Sequence, residues 1–86
     1  MTGLFAFLRR LFVRDEPLTE RERYAVRAFL YFVRTGAIQA EADVGPHNEQ
    51  GARLALRHGY ATDGTAGLPF YRVTRKGERF LQEFER

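Results

Sequence analysis

Apolar residues recur at three- and four-residue spacing through most of this chain and change to alternation only in its last third. Within residues 3–14, Leu4, Phe5, Leu8, Leu11 and Phe12 fall at helical spacing while Arg9, Arg10 and Arg14 lie elsewhere, which predicts an amphipathic helix. Asp15-Glu16-Pro17 ends it, because the residue before a proline is pushed out of the helical region. Thr19-Glu20-Arg21-Glu22 reads as a capping box, in which the Thr19 hydroxyl takes one orphan amide and Glu22 reaches back to another. Ala25, Ala28, Phe29, Phe32 and Val33 follow at core spacing, and Tyr24, Leu30 and Tyr31 widen the apolar face. So broad a face marks a central helix, and Gly36 supplies its left-handed stop.

Residues 37–44 suit a short helix broken by Gly45-Pro46. A further helix is expected from His47 or Asn48 to His58, with Asn48 as N-cap, Glu49 in the first turn, Arg57 and His58 in the last, and Gly59 as its stop. Tyr60-Ala61-Thr62 then reads as a strand, Asp63 to Gly67 as a turn-rich loop, and Leu68 to Val73 as the return strand. Pro69 places the start of that strand at an edge. Tyr71 and Val73 alternate onto one face and Phe70 and Arg72 onto the other. Thr74 caps a last helix whose apolar face is Gly77, Phe80, Leu81 and Phe84, with Gly77 admitting a close neighbour. Helices followed by a hairpin and a closing helix make an α+β domain over residues 17–86, preceded by the N-terminal amphipathic helix in residues 1–16.

Two stretches, Leu54-Ala55-Leu56-Arg57-His58-Gly59-Tyr60 and Tyr71-Arg72-Val73-Thr74-Arg75-Lys76-Gly77-Glu78-Arg79-Phe80-Leu81, resemble the winged helix-turn-helix superfamily, particularly its PadR-like and MarR-like regulators. The first is similar to a recognition helix running through glycine into a wing strand, and the second to the other wing strand running into a closing helix. With the capped helix the resemblance covers about residues 19–86. It implies a small winged-helix domain: a three-helix core, a two-stranded wing and a closing C-terminal helix. It also implies double-stranded DNA as ligand, transcriptional regulation and a homodimer. The 47–58 helix would enter the major groove, whose base edges are read by Arg, Asn and Gln, so Asn48, Gln50, Arg53 and Arg57 are the candidate readers. Asn48, Arg53 and Arg57 are placed near one stripe, with Gln50 offset. Arg72, Arg75 and Lys76, on or just after the wing, would hold the DNA backbone. A cap at Asn48 and merely solvated arginines explain the same residues.

Composition changes this picture little. The chain has 86 residues and a net charge of +3, enough for one domain with a mild basic bias. Of its 14 basic residues all but Lys76 are arginine, which suits phosphate and guanine but also follows from a GC-rich genome. Glu41, Asp43 and Glu49 crowd the region that would approach phosphates, which favours a second reading: a non-catalytic protein-interaction or assembly module. Cysteine and serine are absent, His47 and His58 lack metal-ligand spacing, and no phosphate loop or paired-acid constellation is present. The expectation is a protein that is not an enzyme, with no cofactor, no metal and no small-molecule substrate. No apolar run is long enough to span a bilayer and no signal peptide is read, so the expected location is cytoplasmic. Residues 3–14 are expected to form the homodimer interface through Leu4, Phe5, Leu8, Leu11 and Phe12. A membrane surface or the chain's own core are the alternatives for them.

Overall fold

The computed structural model describes residues 17–63 and 70–85. The expected N-terminal helix, with the dimer residues Leu4, Phe5, Leu8, Leu11 and Phe12, lies outside the described residues, as does the connection over 64–69. Helix α1 (Glu20–Thr35) is followed by a 3₁₀ turn (Glu41–Asp43), helix α2 (Glu49–Arg57), strands β1 (Ala61–Thr62) and β2 (Arg72–Val73), and helix α3 (Arg75–Phe84). The strands pair antiparallel, Ala61 with Val73 and Thr62 with Arg72. The fold is therefore α+β. Among the described residues no helix is long and apolar enough to cross a membrane.

Helix α1 begins as its sequence predicts. The Thr19 hydroxyl accepts from the Glu22 amide and the Glu22 carboxylate accepts from the Thr19 amide, which satisfies two of the helix's unpaired donors. Those bonds favour the charged carboxylate and hold Glu22 below the ordinary glutamate range. The helix stops at Gly36, whose φ of 84° only glycine adopts readily. Val26, Phe29 and Leu30 are fully buried and form the centre of the core with Ile38, Ala52, Leu54, Ala55, Ala61, Phe80 and Leu81. Helices α2 and α3 and strand β2 all pack against α1, which confirms its central place. The expected core face is rotated, however. Val26 rather than Phe32 sits inside, and Phe32 is 41% exposed. At about 100° per residue, Phe32 stands roughly 120° from the Val26 direction and points away from the layer that covers it.

The short helix expected over residues 37–44 does not form. Ile38 is buried instead as an anchor, with its amide donating to the Phe32 carbonyl at 3.0 Å. The Asp43 carboxylate then accepts from the Gln39 and Ala40 amides at 2.9 and 3.0 Å, and only the three residues Glu41–Asp43 turn helically. Two α-helices and a turn thus precede the strands, in place of a three-helix core. A side chain that offers the backbone its own hydrogen bonds competes with a helix for the same amides. Those two bonds also depress the Asp43 pKa below its ordinary value of 3.8. A carboxyl group with a depressed folded-state pKa stabilises the fold above its unfolded pKa, and that stability is lost as pH falls through the folded-state value. Asp43→Asn is therefore expected to show less loss of stability than the parent between neutral pH and pH below 3.8, in urea melts across that range. Equal losses in both proteins would show that Asp43 makes no charge-dependent contribution.

Helix α3 closes the fold over α1 through paired charges and aromatic rings. Arg34 pairs with Glu78, and the Tyr31 hydroxyl donates to Glu85. The hydrogen bond to Glu85 raises the Tyr31 pKa, and the one to Glu78 raises that of Arg34. The Arg23 guanidinium lies 5.3 Å from the Phe80 ring centre and 5.1 Å from that of Phe84, and Arg27 lies 5.3 Å from Phe84. Each such contact contributes about 0.5–1 kcal/mol at an exposed site.

Candidate nucleic-acid interface

Gly51 sets the position of α2. A Cβ at that residue would stand 2.2 Å from the Ala25 carbonyl oxygen and 3.1 Å from the Phe29 Cβ, so α2 rests almost directly on the α1 backbone. Ala52, Leu54 and Ala55 complete the buried side, and Glu49, Gln50, Arg53 and Arg57 face solvent. At about 100° per residue, Gln50, Arg53 and Arg57 fall within roughly 60° of one another and form the outward stripe. Asn48 does not belong to it. It is half-buried on the opposite side of the first turn, and its side chain makes no capping hydrogen bond. The expected arrangement, with Asn48 on the stripe and Gln50 off it, is thus reversed. Spacings of three and four residues from Gln50 to Arg53 to Arg57 already carried that signal.

The end of α2 is joined to the start of α3. Gly59, at φ 77°, turns the chain, while the Tyr60 amide donates to the Ala55 carbonyl at 2.8 Å and the Gly59 amide to Leu56 at 3.2 Å. This is a Schellman closure, which satisfies carbonyls the helix end leaves unpaired. Thr74 then holds both sides. Its hydroxyl donates to the Gly59 carbonyl at 2.6 Å and accepts from the Gly77 amide at 3.0 Å. Its own amide donates to the Tyr60 carbonyl at 3.0 Å. A Cβ on Gly77 would stand 2.1 Å from the Tyr60 carbonyl oxygen, the close approach that the sequence suggested for this glycine.

That junction brings Arg57, Arg75 and Lys76 to one end of the molecule. Lys76 is engaged there: its ammonium donates to the His58 carbonyl at 2.8 Å and lies 5.2 Å from the Tyr60 ring centre. The His58 and Tyr60 rings stack, 5.9 Å apart and 8° from parallel. Burial raises the pKa of the Tyr60 hydroxyl, which keeps it neutral. Arg72 is exposed on the outer face of β2, while Tyr71 and Val73 turn inward as alternation predicts. The Tyr71 amide donates to the Gln39 carbonyl at 2.8 Å, and its ring meets Phe29 edge-on at 5.2 Å, which fixes the strand against α1.

Among the described residues, Arg53, Arg57, Arg72 and Arg75 make no hydrogen bond or ion pair. Their guanidinium groups are available for forked hydrogen bonds to phosphate oxygens or to a guanine edge. Arg79, which is not among the candidate residues of the sequence, is exposed four residues beyond Arg75. It lines an open cavity of about 350 Å³ with Tyr60, Lys76, Phe80 and Glu83. Of the acidic residues near the turn, Asp43 is occupied by backbone amides, whereas Glu49 shares the exposed face of α2 four residues before Arg53. Among the described residues no group of three or more His, Asp or Glu side chains could hold a metal ion. Comparison with family models, curated proteins and solved structures finds no match for this chain.

Proposed function

We propose that this chain binds double-stranded DNA as a winged-helix module of a transcriptional regulator. In that reading α2 enters the major groove, and Arg72, Arg75 and Lys76 hold the phosphate backbone. One observation carries it: Gln50, Arg53 and Arg57 form a single outward stripe on a helix whose opposite side is packed on α1. A supported helix that presents unpaired arginines is what a groove of about 12 Å can accept. Arg75 and Lys76 at the α2–α3 junction extend the same end of the molecule toward the flanking phosphates. The order of helix, turn, helix, antiparallel strand pair and helix suits the same role.

Binding of a random duplex at low salt, followed by fluorescence anisotropy, tests this directly. The expected result is measurable affinity whose logarithm falls linearly with the logarithm of salt concentration. With Arg72, Arg75 and Lys76 each meeting a phosphate, the slope should approach about −2.7. Absence of binding even at low salt would overturn the proposal in favour of a protein-interaction module. That second reading draws on the exposed aromatics Tyr24, Phe32 and Phe70 and on Glu49, exposed beside the α2 stripe.

A further inference from the structure

We propose that α2 reads three successive base pairs in the major groove, an adenine beside two guanines on one strand, an inference that rests on the DNA-binding reading above. The readers are Gln50, Arg53 and Arg57. All three are exposed, and among the described residues none of their side chains makes a hydrogen bond or ion pair. Direct reading needs a helix that cannot shift, because each side chain must meet a donor and acceptor pattern fixed by the duplex. Helix α2 is held at both ends. In its first turn Gly51 rests on α1, where a Cβ would stand 2.2 Å from the Ala25 carbonyl oxygen. At its far end the Tyr60 amide donates to the Ala55 carbonyl at 2.8 Å, and the Thr74 hydroxyl donates to the Gly59 carbonyl at 2.6 Å, which ties the helix to the start of α3.

The bases follow from side-chain chemistry. A guanidinium offers two parallel N–H donors, which match the O6 and N7 acceptors of guanine. Adenine presents a donor beside an acceptor on the same edge, which a glutamine amide matches. Gln50 and Arg53 stand three residues apart and Arg53 and Arg57 four, about 4.5 and 6 Å along the helix axis. Side chains at those spacings on a helix in the groove meet successive bases. The order along α2 is therefore adenine, guanine, guanine. Glu49 favours base reading over phosphate binding for this helix. It is exposed four residues before Arg53, roughly 40° from it around the axis. Its carboxylate repels a row of phosphates, yet it accepts from the amino group of cytosine, the base paired with guanine. Arg72, Arg75 and Lys76 lie on β2 and at the start of α3, so backbone holding and base reading fall to different elements.

The test uses the full-length protein and short duplexes that carry AGG or GGA, one for each polarity of the helix on the strand, beside a duplex of A·T pairs only. Anisotropy should show one of the two guanine-bearing duplexes bound at least about tenfold more tightly than the A·T duplex. Replacing both guanines of that duplex by 7-deazaguanine removes their N7 acceptors and leaves base pairing intact. Affinity should then fall by about tenfold or more, with an unsubstituted protein whose folding is not in question. Arg53→Ala should abolish the preference at one guanine and Gln50→Ala that at the adenine, whereas Arg75→Ala should weaken all duplexes alike. Equal affinity for all three duplexes, or for the guanine and 7-deazaguanine forms, would overturn the base assignment and leave DNA binding in place. A preference unchanged by Arg53→Ala would do the same. Absence of binding to every duplex at low salt would overturn the DNA-binding reading and this inference with it.

Discussion

Replacing Gly51 with alanine is expected to destabilise the fold by about 3 kcal/mol, a large share of the roughly 5–15 kcal/mol that holds a small domain together. The added methyl would fall 2.2 Å from the Ala25 carbonyl oxygen and 2.8 Å from its carbonyl carbon. Backbone cannot move aside as a side chain can, so α2 must lift from α1 and open the contact around Phe29 and Leu30. Alanine's better helix propensity offsets up to about 1 kcal/mol of this. Gly45→Ala provides the contrast, because nothing lies within 4 Å of a Cβ there. Urea denaturation of the two variants makes the comparison. A Gly51→Ala protein as stable as Gly45→Ala would mean that the two helices do not approach as closely as described.

The second large effect concerns binding. Under the proposed function, the double variant Arg53→Ala, Arg57→Ala should lose roughly a hundredfold or more in duplex affinity. That estimate takes about 1–3 kcal/mol for each arginine that reads a base edge. Both side chains are exposed and outside the core, so the melting temperature should hardly change. Arg34→Ala is the informative control. It removes a charge of the same kind that is paired with Glu78 between α1 and α3, away from the α2 stripe, and should leave affinity near that of the parent. A double variant that still binds like the parent would remove α2 as the reading helix. Equal losses in the double variant and the control would reduce the interaction to net charge.

Several features of this site were visible in the linear chain because they depend on neighbours a turn away. Thr19 with Glu22, and Thr74 with the Gly77 amide, cap their helices as expected. Gly36 and Gly59 adopt the left-handed turns that glycine permits. Inward Tyr71 and Val73 follow from alternation alone. The outward stripe of α2 also follows from spacing, because Asn48 stands two residues before Gln50 and so falls on the other side of the helix. Other features carry no such trace. The Lys76 bond to the His58 carbonyl joins residues 18 apart, and nothing in the first turn of α3 signals it. Phe32 has the periodicity of a core residue and still faces outward, because α1 has an apolar arc wider than its partners cover.

Capping, turning and alternation are short-range matters, decided by which backbone amides and side chains lie within a few residues of one another. They suffice for an α+β chain with a central capped helix, an exposed arginine-bearing helix and a closing helix after a strand pair. Which arginines remain available was a long-range matter. Arg34 is drawn to Glu78, Arg23 and Arg27 lie over the rings of α3, and Arg53, Arg57, Arg72 and Arg75 are left to solvent. Arginine at a helical position reads the same in all these cases. Only the packing of α3 across α1, and of Gly51 onto the α1 backbone, separates those that build the fold from those that can meet a ligand.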